Sequence, residues 1–268
     1  MKKRFSVVLA LLSVFLLFPI YWMLNSVFQT RAELFSRPPL WFPRSFDFLS
    51  VWKIVVDNAQ YFSNSLVIAF ITIAVTVFVA IPAGYSLAKL NVPGKSFYLL
   101  VLLITQMFPL VMLITPMFLI FSKTGLLNNY AGTALAIGTN TIPFSILVLR
   151  SYLVSLPDSL REAAFIDGCG EMRAFVRIII PNAMTGIMTI VVFTFLFSWG
   201  DFLFGLTMMT DNDLQPATVR LYQSIGQYGT DWRRLMTLSA SLALPAMIFV
   251  VLAQRAVVNG IGNVNVNK

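Results

Sequence analysis

The chain offers little to acid–base or nucleophilic chemistry. Histidine is absent, cysteine occurs once, and eleven carboxylates are spread over 268 residues. This inventory removes histidine-based triads, HExxH zinc sites, haem ligation by histidine and any intrachain disulfide. An enzyme would be left with carboxylates, serine or lysine. Cys169 stands between Gly168 and Gly170, a place for a small packed side chain rather than an activated thiol. The notable chemistry is a concentration of charge in an oily chain. Residues 161–184, REAAFIDGCGEMRAFVRIIIPNAM, carry Arg161, Glu162, Asp167, Glu171, Arg173 and Arg177 between two long apolar runs.

The elements around that stretch are membrane helices. Hydrophobic residues make up 58% of the chain and charged residues 11%, against about 25% charged in a soluble domain. Too little polar surface remains to cover a water-exposed globule. Six apolar runs have the length a bilayer demands: 5–27, 65–87, 97–121, 131–153, 184–209 and 236–257. Each must be helical, because lipid offers no partner to a free backbone amide. The first follows Lys2, Lys3 and Arg4 but is longer than a signal-peptide core and lacks a small-residue cleavage site. It reads as an uncleaved span.

Basic residues set the orientation. With the N-terminus inside, the cytoplasmic segments hold eleven Lys and Arg and the outer segments eight. Six spans then return the C-terminus to the cytoplasm, and residues 161–184 lie inside the cell. The net charge of +8 fits basic cytoplasmic loops. No basic arm or aromatic-interleaved basic pattern points to nucleic acid. The outer connection 28–64 mixes prolines with Trp41, Phe42, Phe46, Phe48 and Trp52, a composition suited to lying along the membrane interface.

The charged stretch has its own local logic. Pro157 suits a first turn, and Ser159-Leu160-Arg161-Glu162 matches a capping box. Leu160, Ala163, Ala164 and Asp167 follow at helical spacing, and Gly168 suits a helix-ending position. A second short helix starts at Glu171, and Pro181 interrupts it before the next span. A two-turn helix is marginal alone and needs a surface. Anionic lipid would repel Glu162 and Asp167, and alanines bury little in lipid. A protein groove explains these residues better than a leaflet surface does.

The same residues resemble the EAA motif of ABC importer permeases, E-A-A-x-x-D-G, a spacer, then I-x-L-P. Here it is carried by Glu162-Ala163-Ala164, Asp167-Gly168, Ile178 and Pro181. Further stretches, YFSNSLVIAF at 61–70, AGYSLAKLNVPGKSFYLL at 83–100, TGLLNNY at 124–130, SLPDSLREAA at 155–164 and FSWGDFLFGL at 197–206, resemble the maltose/glycerol-phosphate-type carbohydrate branch of that family. The resemblance covers roughly residues 60–260. It implies an all-α integral membrane protein of the ABC type I importer permease fold, one domain over 1–268, with six transmembrane helices and a cytoplasmic coupling helix. It implies that segment 155–183 docks on an ATPase through Glu162, Ala163, Ala164, Asp167 and Gly168.

Its implied partners are a nucleotide-binding ATPase dimer, a second and non-identical permease subunit, an extracytoplasmic solute-binding protein and a sugar. Its implied setting is a bacterial or archaeal inner membrane. Departures are Ile180 for the family's leucine, Thr185 for a second proline, and Gly200-Asp201 where an Asn and an acid are usual. The tail NGIGNVNVNK also departs, which puts its contacts with the ATPase in doubt.

Within the spans, four residues are candidates for the substrate pathway. Asn140 and Thr141 precede Pro143, where they line a cavity or join helices. Trp199 neighbours Asp201, a pair suited to a sugar ring and its hydroxyls. Asp201 is either a pathway group or a structural hydrogen bond to a neighbouring helix. The methionines at 107, 112 and 117 read as packing rather than a metal site. PGKS at 93–96 ends like a phosphate-binding loop, but Lys89 stands where its first glycine is required. No cofactor is therefore expected here, ATP belongs to another chain, and the chain is not itself an enzyme. The alternative is a secondary transporter or channel working alone. Such proteins use paired halves with broken helices and ionisable relays, and no such pair is evident in the sequence.

Overall fold

The computed structural model describes residues 2–226 and 229–264. Its helices run in the order α1 (Lys2–Phe28), α2 (Arg31–Leu34), α3 (Phe48–Asp57), α4 (Ala59–Lys89), α5 (Lys95–Met107), α6 (Leu110–Thr124), α7 (Tyr130–Ser155), α8 (Ser159–Ile166), α9 (Glu171–Ala174), a π-helical turn (Phe175–Ile179), α10 (Ile180–Asn182), α11 (Met184–Trp199), α12 (Leu203–Met208), α13 (Ala217–Tyr222) and α14 (Trp232–Val264). A small antiparallel pair, Ile225–Gly226 with Gly229–Thr230, precedes α14. Lys268, counted above among the cytoplasmic basic residues, and the end of the divergent tail, 265–268, lie outside the described residues.

Four of these helices, α1, α4, α7 and α14, are each long and apolar enough to cross a bilayer. The third apolar run is not the straight span its composition suggests. It is α5 and α6, bent by 98°. Pro109 disfavours the helical region for the residue before it, and Phe108 is extended at φ −73°, ψ 127°. The fifth run is shorter than 184–209. α11 stops at Trp199, and α12 is a separate helix beyond Gly200 and Asp201. Before α11, the segment Glu171–Asn182 meets it at 71°. Six spans are reached when each bent pair counts as one. Broken helices are thus present, and their supposed absence no longer argues against a stand-alone transporter.

The helices form two units, Met1–Ser63 with Pro216–Pro245 and Asn64–Gln215 with Ala246–Lys268. In the first, the proline-rich connection folds back on α1. The Tyr21 hydroxyl donates to the Trp41 carbonyl. The amides of Asn25 and Gln29 both donate to Leu40, at 3.1 and 2.9 Å. Asp47 caps α3 through the Ser50 amide at 3.1 Å and pairs with Arg233 at 3.3 Å. Asn58 accepts from both Arg220 and Arg234 at 3.0 Å.

In the second unit, α7 packs between α5 and α11. α4 buries a face of small residues, Ala69, Thr72, Thr76, Ala80 and Gly84, a pattern that lets helix backbones approach closely. Hydroxyls join the helices. Thr76 pairs with Thr141 at 2.9 Å, and Thr72 with Ser198 at 3.3 Å. The Phe195 ring stacks on Phe249 at 3.9 Å between centroids. Gly186 faces Tyr152 so closely that a Cβ there would lie 2.8 Å from the ring carbon Cγ.

Candidate functional site

The charged stretch forms a short helix, a glycine turn and a second helix. α8 begins one residue earlier than the capping box requires. Ser159 is already helical, so the cap position belongs to Asp158, which makes no side-chain cap. The Asp158 carboxylate is engaged by Lys89 at 2.6 Å instead. The predicted C-terminus holds. Gly168 takes φ +78°, its amide donates to Phe165, and the Cys169 amide donates to Ala164 at 2.9 Å. Those two bonds are the pattern of a helix closed by a left-handed glycine.

Glu162, Ala163, Asp167 and Gly168 are all exposed. Ala164 is not. It is 1% exposed and packs inward, where α8 meets α9 and the π turn. It sets the height of α8 rather than offering a surface. The sequence reading missed the apolar side chains beside the exposed acids. Ile166 is 87% exposed and Met172 72%. Exposed apolar side chains grouped with charges in this way suit an interaction surface.

The sequence reading also missed what anchors this surface. Across the glycine turn, Arg161 reaches Glu171 with two nitrogens, Nε at 3.1 Å and Nη2 at 2.8 Å. The Tyr85 hydroxyl, from α4, donates to the same carboxylate, and the Tyr85 ring lies 4.6 Å from that of Phe175. Lys89, four residues on, holds Asp158 and also donates to the Leu156 carbonyl at 2.7 Å. The Arg161 guanidinium additionally covers the Phe165 ring at 4.9 Å. Hydrogen bonds from Arg161 hold the Glu171 carboxyl below its ordinary value, and Lys89 does the same to Asp158. Tyr85 and Lys89 share one side of α4, a signal available in the sequence, but Glu171 lies 86 residues from Tyr85 and Asp158 lies 69 from Lys89.

A family model described as the binding-protein-dependent transport system inner membrane component matches residues 80–261. The chain belongs to this family. A probable ABC transporter permease protein of Bacillus subtilis, YurM, is 31% identical, covering 92% of this chain and 82% of its own length. The diacetylchitobiose uptake permease DasC of Streptomyces coelicolor is 27% identical, over 96% and 94%. The sulfoquinovosyl glycerol transport permease SmoH of Agrobacterium fabrum is 30% identical, over 91% and 87%. Among solved structures, a bacterial ABC transporter that imports the acidic polysaccharide alginate superposes with a TM-score of 0.80 at 19% identity, covering 95% of both chains. The MetNI methionine transporter gives 0.61 at 15% identity, over 79% of this chain and 98% of that one. The fold is that of an ABC type I importer permease, a multi-pass inner-membrane subunit that leaves ATP hydrolysis to another chain.

The pathway candidates of this permease divide in two. Thr141 is fully buried in its bond to Thr76. Trp199 is 5% exposed and stacks on Phe195 at 5.7 Å. Asn140 and Asp201 are part-exposed. The Asn140 carbonyl accepts from Gln106 at 3.0 Å. Asp201 accepts from the Gly205 amide, in α12, at 2.9 Å. Among the described residues, no three carboxylate or thiol side chains converge as a metal site would require.

Proposed function

We propose that this permease carries a carbohydrate, an oligosaccharide or a sugar derivative, and that α8 couples it to a separate ATPase dimer. The observation that carries the coupling is the exposed face of α8, where Glu162, Ala163 and Asp167 stand beside the bare side chain of Ile166. Its anchoring by Lys89 and Glu171 suits a helix that must transmit force. The sugar class is supported by relatives named for diacetylchitobiose and sulfoquinovosyl glycerol uptake. Two permeases, the second of different sequence, would enclose the path, with a solute-binding protein outside. Asn140 and Asp201, the two part-exposed candidates, would face the path, with Thr141 and Trp199 supporting its wall. The basic residues favour cytoplasmic N- and C-termini in a bacterial or archaeal membrane. ATP would bind the partner alone, with no cofactor on this chain.

The test is ATP hydrolysis by the reconstituted complex with its binding protein. The panel holds maltose, diacetylchitobiose, sulfoquinovosyl glycerol and methionine. Stimulation by a sugar and not by methionine supports the reading, and stimulation by methionine alone sinks the carbohydrate assignment. A tagged chain that never retains an ATPase subunit sinks the coupling role.

A further inference from the structure

We propose that Glu171 is a positioning residue that locks the Gly168 turn, so that α8 and the cytoplasmic end of α4 move as one body. The inference rests on the coupling role of α8 proposed above, and adds how a push on α8 reaches the membrane helices.

The turn between α8 and α9 is closed by backbone bonds and carries two glycines, the residue with the widest backbone freedom. Gly168 is left-handed, and a Cβ placed on Gly168 or Gly170 would meet nothing within 4 Å. Left to itself, such a joint would fold when α8 is pushed, and the displacement would be lost there. One carboxylate closes it. Glu171 lies just after the turn and receives two bonds from Arg161, in the first turn of α8. It also receives the Tyr85 hydroxyl from α4. A second tie, Lys89 to Asp158 and to the Leu156 carbonyl, holds the start of α8 to the same end of α4. The first turn of α8 is thus tied to two residues spaced four apart on α4, directly through Lys89 and by way of Glu171 through Tyr85.

Beyond Glu171 the chain runs without a glycine through α9, the π turn and α10 to the bend before α11. Ala174 and Ile179 are buried along it, at 0% and 1% exposure. A push on α8 therefore has two outlets, α4 through Tyr85 and Lys89, and α11 through the α9–α10 segment. Arg173 and Arg177, the other basic residues of the stretch 161–184, have no part in the clamp. Its geometry, bidentate and shared by three groups, is the kind that outperforms an ordinary surface ion pair.

The experiment needs no sugar. A spin label is placed on the native Cys169 and another on Asn91→Cys, in the exposed loop after α4, within the full complex whose other subunits carry no reactive cysteine. Distances are measured without nucleotide and after trapping with ATP and vanadate. With the clamp intact, the distribution is narrow and does not change on trapping. In Glu171→Gln it becomes about twofold broader, as expected when a bidentate charge-assisted pair is lost. Tyr85→Phe gives a smaller broadening and guards against misfolding of the first variant. The exchange Arg161→Glu with Glu171→Arg narrows it again. An unchanged width in both single variants, or a shift of the unsubstituted clamp on trapping, overturns the proposal. If the complex never retains an ATPase, the coupling reading fails instead, while the widths in the nucleotide-free membrane still report on the clamp.

Discussion

Truncating Ile166 separates a docking surface from a merely exposed one. In the free chain this side chain is 87% exposed, so Ile166→Ala costs the chain almost nothing, within about 0.5 kcal/mol. If a partner groove covers it, the substitution removes three carbons from an apolar contact. At roughly 0.8 kcal/mol per buried methylene, the loss of docking energy is about 2 kcal/mol. That corresponds to roughly a 30-fold weaker dissociation constant. The assay is titration of the purified ATPase onto the permease pair in lipid nanodiscs, read by light scattering or surface plasmon resonance, alongside thermal unfolding of the permease. The expected result is weaker ATPase binding at unchanged unfolding temperature. Equal affinity for the variant would mean that α8 does not bury Ile166 in its partner, and the docking face would have to be drawn elsewhere. A fall in unfolding temperature would contradict the exposure on which the estimate stands.

Four further outcomes follow. Glu162→Lys reverses an exposed charge on α8 and should abolish transport, with the protein still in the membrane by immunoblot; unchanged coupling of ATP hydrolysis would refute that role. Asp201→Asn should lower sugar affinity or rate if the carboxylate faces the path, and normal values of both in uptake assays would refute the pathway role. Gly186→Leu must place carbon 2.8 Å from Tyr152, about 1 Å inside a normal contact, and should cost about 1–3 kcal/mol; an unaltered thermal unfolding curve would refute the close α7–α11 contact. Finally, the Glu171 carboxyl is held below its ordinary value of 4.5, so the clamp contributes fully above that pH and is lost as pH falls through the lowered value. The spin-label width should therefore stay constant from neutral pH down to about 5 and broaden only in stronger acid, and broadening near pH 6 would contradict it.

Much of the membrane architecture was legible from the chain alone, because a bilayer imposes one rule on every apolar run: its amides must be satisfied within the helix. That rule gives α1, α4, α7 and α14 directly. It does not say where a run breaks. Pro143 sits inside a continuous α7 and Pro116 inside α6, whereas Pro109 starts a new helix after a 98° bend. The residue type is the same, and burial does not sort the three: Pro143 is buried, whereas Pro116 and Pro109 are both exposed. At the coupling stretch, Gly168 was readable because positive φ selects glycine. The capping box was not formed, because the helix starts one residue early and Ser159 is already helical.

The sequence by itself determined the composition-driven facts: a multi-pass helical chain, no histidine chemistry, and an acidic, small-residue helix spaced like the EAA motif of its family. Local spacing suffices for these because each depends on residues within a few turns of one another. Only the tertiary structure decided which of the five motif residues face outward, with Ala164 turned in, and which groups hold the motif in place. Tyr85 and Glu171 are 86 residues apart, and no periodicity links them. Only the packing of α4 beside α8 and α9 brings the hydroxyl, the guanidinium and the carboxylate together across the glycine turn.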